Sequence, residues 1–140
     1  MHDHSPDDDA ESVRRLFEIV SRTENPLVPR AAEFTTMRVT LPPGSPGAPP
    51  HRHSSAVFGY VVRGVLRFEI EGLRERVVAA GGSFWGPGGD VIHYQEANNL
   101  DDGETAFVVM TFVAPGQPIL TPVGETEIRD RLPRRVSRTE

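Results

Sequence analysis

Three histidines stand where strand geometry can bring their side chains together. His51 and His53 are one residue apart at the end of a proline-rich loop, and His93 lies in the apolar run 91–95. Residues i and i+2 of a strand point to the same face, and an unpartnered imidazole in an apolar strand is costly to bury. Three neutral imidazoles with an open position are typical of catalytic metal sites. We therefore predict that His51, His53 and His93 bind a divalent transition metal; a metal-free histidine cluster is the alternative.

Composition excludes several other chemistries. The 140 residues include no cysteine, and all 15 basic residues are arginine. Disulfides, iron–sulfur clusters and thiol nucleophiles are therefore excluded, as are the lysine of a P-loop and a Schiff-base lysine. No G-x-S-x-G sequence signals a serine nucleophile.

Charge is segregated at the two ends of the chain. Residues 1–11 hold five acidic residues, and residues 129–138 hold five arginines, in a chain of net charge −5. Such runs are typical of solvated tails, so we predict a disordered acidic tail over 1–11, with His2 and His4 flexible, and a flexible basic tail over 129–140. A nucleic acid is not expected as a partner. The sequence has no run of ~18 apolar residues and begins without a cationic signal segment, which predicts a cytoplasmic protein with no membrane partner.

The elements that must carry the histidines are strands. A length of 140 residues predicts one domain, here 12–128 with its flanking segments. Residues 12–22 fit a short amphipathic helix, or a strand. From residue 34 the apolar residues alternate, and Gly and Pro separate seven or more short strands, which predicts an all-β sandwich or barrel.

Two stretches resemble the motifs of the cupin superfamily. Pro49-Pro50-His51-Arg52-His53, with Gly64 further on, is similar to its first motif, and Gly82-Ser83-Phe84-Trp85-Gly86-Pro87-Gly88-Gly89-Asp90-Val91-Ile92-His93 is similar to its second. The resemblance implies a single-domain jelly-roll barrel with a divalent metal inside, which could be Fe, Mn, Ni, Cu or Zn, bound by His51, His53 and His93. It also implies a homodimer, in which residues 12–30 or 117–128 of a second subunit could cover the edge strand 36–41.

The chain departs from the first motif at its glutamate. That residue should fall at 57 or 58, where Val57 and Phe58 stand. A centre without it is more cationic and favours an anionic, chelating ligand such as an enolate. By strand parity Gln95 shares the inward face of His93 and could line the pocket or orient a metal-bound water, whereas Glu96 points inward only if the strand bulges.

The resemblance implies a metal-dependent oxidoreductase, for which we expect a dioxygenase acting on a small enol, diketone or phenolic compound. Alternatives are a non-catalytic ligand-binding or sensing protein and a metal-dependent isomerase or lyase. An apolar wall would exclude water from this small-molecule site. We expect that wall to consist of Val57, Phe58, Phe68 and Trp85, although core or rim packing is the other interpretation of Trp85.

Overall fold

Two antiparallel sheets make up the fold in a computed structural model, which describes residues 6–136. In chain order the strands are β1 (Glu33–Leu41), β2 (His51–Arg52), β3 (Val57–Arg63), β4 (Val65–Ile70), β5 (Arg76–Ala79), β6 (Ser83–Gly86), β7 (His93–Asn98), β8 (Thr105–Val113) and β9 (Thr121–Pro122). One sheet has the order β1-β8-β3-β6 and the other β5-β4-β7-β2-β9. The predicted all-β jelly roll in a single domain is confirmed.

The hydrophobic core lies between the sheets. Alternate residues of β3, β4 and β8 are buried, as the period of two requires. Gly59 lets β3 pass over the ring of Phe84, because a Cβ at that position would overlap the ring. Val57 and Phe68, expected as pocket walls, belong to this core.

Strand β7 carries a bulge that decides which side chains reach the interior. Its pairing with β4 joins Ile70 to His93 and Glu69 to Gln95, so Tyr94 is an extra residue without its own partner. An extra residue in one strand reverses the inward and outward assignment beyond it. His93 and Glu96 consequently face the same side of the sheet.

The terminal segments differ from the predictions. The short N-terminal helix is α1 (Pro6–Arg14), not 12–22, and so it begins inside the segment predicted as a disordered tail. Pro6 suits a first helical turn, and the acidic residues after it favour the helix N-terminus. The apolar stripe that predicted a longer helix is not covered by any other described residue to the point of burial, since Leu16 and Phe17 are 79% and 73% exposed. His2 and His4 lie outside the described residues.

The basic C-terminal segment is docked on the barrel up to Arg135, which corrects the prediction of a flexible tail. It contains α2 (Glu125–Arg131) and a 3-10 turn (Leu132–Arg134). The physical reason is that Arg131 and Arg135 pair with Glu71 and Glu69 of the second sheet. Within residues 6–136, no helix has the length and apolar character needed to cross a membrane.

Candidate metal centre

Hydrogen bonds to backbone carbonyl oxygens orient the rings of His51 and His53. The Nδ1 atom of His51 donates to the carbonyl oxygen of Pro49 at 2.8 Å, and Nδ1 of His53 donates to that of Ile119 at 2.9 Å. Because a carbonyl oxygen only accepts, both hydrogens are on Nδ1 when the rings are neutral, and both Nε2 atoms present lone pairs. These two Nε2 atoms lie 3.1 Å apart. Two lone pairs at that distance repel unless a cation or a proton lies between them.

His93 completes the group from β7 and is fully buried. It pairs directly with His51 across the sheet, and its ring centroid lies 4.8 Å from that of His53. Its Nε2 atom has no hydrogen-bond partner among the described residues. A Cβ on Gly86 would lie 2.5 Å from Cε1 and 2.6 Å from Nε2 of this ring, so the glycine makes the space that His93 occupies.

Glu96 is the fourth member, placed inward by the bulge at Tyr94. Its Oε1 atom lies 3.0 Å from Nδ1 of His93 and 3.6 Å from Nε2 of His51. One potential ligand atom from each of the four residues lies within 4.8 Å of the others. Metal–nitrogen and metal–oxygen bonds of ~2.0–2.2 Å place ligand atoms up to about 4.4 Å apart, so a small shift of the side chains would let all four bind one ion.

The electrostatics of the cluster suit a cation. Burial would raise the pKa of Glu96, but hydrogen bonds from His51 and His93 outweigh it and lower this pKa to about 2. Burial, together with the neighbouring imidazoles, lowers the pKa of His53 to about 4. Burial opposes the charged form of His51 too, yet the contact with Glu96 leaves its pKa raised. At neutral pH the site therefore offers an ionised carboxylate and a neutral His53, which are the forms that bind metals.

Gln95 does not join the histidines, which corrects the expectation from strand parity. Its amide nitrogen donates to Glu69 at 2.7 Å and to Glu75 at 2.5 Å, and its oxygen accepts from Arg67 at 2.8 Å. The bulge places Tyr94 and Gln95 together on the outer side of the sheet. The carboxylate that joins the histidines is therefore Glu96. Strand parity placed Glu96 outward, so only a bulge in β7 could have indicated it.

An apolar cavity of about 270 Å³ adjoins the centre at His53 and Glu96. Its other walls are Met37, Val39, Leu41, Ala48, Phe107, Val109, Ile119 and Leu120. The expected wall residues lie elsewhere. Phe58 and Trp85 line a groove on the outer face of the first sheet, while Phe68 reaches the centre only from the core, with its ring centroid 6.0 Å from that of His93.

A family model of the Cupin domain matches residues 37–112, which is more than half of the chain. The chain belongs to the cupin family. No curated protein sequence matches it. In this cupin the carboxylate of the four-residue cluster is Glu96, near the second motif, and Val57 and Phe58 stand where the first motif has glutamate.

Solved structures similar to this cupin include enzymes with different reactions. An oxalate oxidase in complex with the substrate analogue glycolate has a TM-score of 0.53 at 26% identity, over 71% of this chain and 56% of that one. The DMSP lyase DddQ from Ruegeria pomeroyi has a TM-score of 0.51 at 20% identity, over 64% of this chain and 43% of the lyase. An RmlC-like cupin from Ralstonia eutropha has a TM-score of 0.50 at 17% identity, over 76% of this chain and 69% of that one. The chain thus spans about half the length of the first two.

Proposed function

We propose that this cupin binds one divalent transition metal through His51, His53, His93 and Glu96 and acts as a dioxygenase on a small enol, diketone or phenolic compound. The proposal rests on one observation: this group of four residues lies beside an apolar cavity, which His53 and Glu96 help to line. A dioxygenase transfers both oxygen atoms of O2 to its substrate and needs no further reductant. The identity of the metal among Fe, Mn, Ni, Cu and Zn is left to measurement.

The donor set fits a divalent cation. Positive charge would stabilise three features of this site. They are the facing Nε2 lone pairs of His51 and His53, the buried Nε2 atom of His93, which has no hydrogen-bond partner among the described residues, and the ionised carboxylate of Glu96. When bound, the metal would supply a Lewis acid that stabilises a deprotonated substrate oxygen and a centre for reaction with O2. The carboxylate of Glu96 would neutralise one of the two positive charges of the metal. The site is therefore less cationic than we expected from the absence of the motif glutamate.

The cavity walls restrict the substrate. Met37, Phe107, Leu120 and their neighbours offer apolar surface, and no arginine lines this cavity in the part of the chain that the structure describes. A second anionic group, away from the centre, would therefore lose its hydration without gaining a partner. The walls favour a compact apolar body with its ionisable oxygen at one end. The likeness to an oxalate oxidase supports an oxidoreductase, while the cavity favours a less polar substrate than oxalate.

Metal analysis followed by oxygen uptake tests this proposal. Protein reconstituted separately with each of the five metals should retain about one equivalent after gel filtration. The loaded form should consume O2 in a screen of enols, diketones and phenols, and a His93→Ala variant should do neither. Retention below about a tenth of an equivalent with every metal would refute the metal site. Tight ligand binding without O2 uptake would favour a sensing protein, and turnover without O2 an isomerase or lyase.

We also propose that the cupin is a homodimer, in which the N-terminal segment of each copy covers the first sheet of the other. Strand β1 is an edge strand, and a groove of about 340 Å³ on the outer face of its sheet is lined by aromatic side chains and, at one side, by residues 21–26 of the same chain. Phe34 at this groove is 61% exposed, and Leu16 and Phe17 are 79% and 73% exposed in the part of the chain that the structure describes. Exposed apolar surface of this kind is typical of interfaces. Light scattering should give twice the mass of 15.4 kDa, falling to the monomer mass in a Phe17→Ser, Phe34→Ser variant; a wild-type monomer would refute it.

A further inference from the structure

The C-terminal segment 117–135, which we call the strap, contacts the metal centre although it lies beyond the matched Cupin domain. The carbonyl of Ile119 accepts the hydrogen bond that orients His53, and Ile119 and Leu120 form one wall of the cavity. Strand β9 pairs with β2, which contains His51 and ends one residue before His53. One segment therefore sets the orientation of a ligand and closes the space beside it.

Apolar packing contributes little to holding the strap. Neither α2 nor the 3-10 turn contains a buried residue, and Ile119 and Leu132 remain 39% and 49% exposed. Its backbone attachment is short: two paired residues of β9, and a hydrogen bond from the amide of Val123 to the carbonyl of Pro50 at 2.9 Å. Segments with few buried apolar contacts open locally at lower free energy than a core does.

Ion pairs supply further attachment: Arg52 of β2 binds Glu127 of α2 at 2.6 Å, and two more arginine–carboxylate pairs, which we call the latch, lie nearer the end of the strap. Arg131 binds Glu71 with two nitrogen atoms, and Arg135 binds Glu69 at 2.7 and 2.8 Å. Arg135 also lies over the ring of Tyr94, 4.4 Å from its centroid. The side chains of Glu69 and Glu71 are almost fully buried under the strap. Release of the strap would carry both arginines away, but Glu69 would keep the hydrogen bond that it accepts from Gln95 at 2.7 Å and so would not be left without a partner.

We propose that the strap is a detachable wall of the metal centre, held by the latch, and that its release admits ligands and loosens His53. This inference rests on the proposed metal site. When the strap is docked, Ile119 holds the hydrogen of His53 on Nδ1 and keeps Nε2 available for the metal. When it is released, His53 loses that acceptor and the cavity loses the wall that Ile119 and Leu120 form. Metal exchange and ligand entry are thereby limited by the opening of the strap.

A disulfide lock tests the opening step directly. Arg52 and Thr121 are paired across the antiparallel β2 and β9. Such partners have Cα atoms about 4.5–5.5 Å apart, within the ~4.4–6.8 Å range of disulfides. The natural chain has no cysteine, so an Arg52→Cys, Thr121→Cys variant forms only this bond. Oxidised protein loaded with Zn²⁺ or Co²⁺ should lose its metal to a chelator at least about tenfold more slowly than the reduced and alkylated form, a change equal to ~1.4 kcal/mol.

Neutralising the latch should have the opposite effect. An Arg131→Gln, Arg135→Gln variant should release metal at least about tenfold faster than wild type. Amide exchange should accelerate in 117–135 but not in the barrel strands. The matched control is Arg129→Gln, Arg134→Gln, which removes the same charge from the same segment; among residues 6–136, the acidic group that Arg134 approaches is the exposed Asp90, at 3.8 Å. In wild type, raising the salt from about 0.1 M to about 1 M should accelerate release in the same direction.

The outcomes separate this inference from the proposed function. Equal metal release from locked and unlocked protein, with the disulfide verified by mass, would overturn the strap as a gate. Unchanged amide exchange in the latch variant would overturn the latch. If no metal binds at all, the proposed function fails, while amide exchange of the strap in the latch variant and its control still decides whether the latch holds it.

Discussion

Replacement of Glu96 by glutamine is the sharpest test of the metal centre. The substitution keeps the size of the side chain and an oxygen atom but removes the negative charge that faces His51 and His93. In the folded protein the pKa of Glu96 falls from 4.5 to about 2. At about 1.36 kcal/mol per pKa unit, its ionised form contributes about 3 kcal/mol to the free energy of unfolding. We expect Glu96→Gln to lose about that amount at pH 7 in metal-free protein.

The sign of the pH dependence follows from the lowered pKa. The contribution of Glu96 is fully present above the unfolded value of 4.5 and disappears as the pH falls toward 2. The difference between wild type and Glu96→Gln, measured by urea denaturation in the presence of a chelator, should therefore narrow on acidification. Glu104→Gln, which removes an exposed charge paired with Arg63, should cost less than about 1 kcal/mol.

Metal affinity provides the second measurement on the same variant. Loss of an outer-sphere partner of a metal ligand lowers affinity ~10–100-fold, and loss of a direct anionic ligand should exceed that. Titration against a chromophoric chelator should show this for Glu96→Gln, and an unchanged affinity for Gln95→Ala. Equal affinities of Glu96→Gln and wild type, or a comparable loss in Gln95→Ala, would refute the placement of Glu96 by the bulge.

Three further predictions concern space and protonation. Gly86→Ala should displace the ring of His93 and weaken metal binding, whereas Gly124→Ala, with no atom within 4 Å of the new Cβ, should leave the affinity unchanged in the same titration. Gly59→Ala should overlap the ring of Phe84 and lower the free energy of unfolding by about 1–3 kcal/mol in urea denaturation. The raised pKa of His51 means that its proton stabilises the metal-free fold below about pH 6.5, and that this contribution is lost as the pH rises through the folded value. The increase in Tm on adding metal should therefore be larger at about pH 8 than at about pH 6, and a reversed order would contradict this assignment.

Local patterns were enough to predict the strands and the three histidines. Alternating apolar residues produce the strands of the core, and the spacing of His51 and His53 places both rings on one face whatever the rest of the chain does. Helix boundaries were less predictable. The stripe through Leu16 and Phe17 predicts a buried face, and whether any surface covers it depends on contacts distant in the chain.

The sequence by itself determined the jelly roll and three of the four candidate ligands, because these depend on residue type and on a period of two within single strands. Tertiary structure alone decided the fourth. One unpaired residue, Tyr94, turns Gln95 outward and Glu96 inward, and that bulge depends on the register between β7 and β4. Tertiary structure likewise docked the basic segment on the barrel, because Glu69 and Glu71 lie some 60 residues before the arginines that bind them.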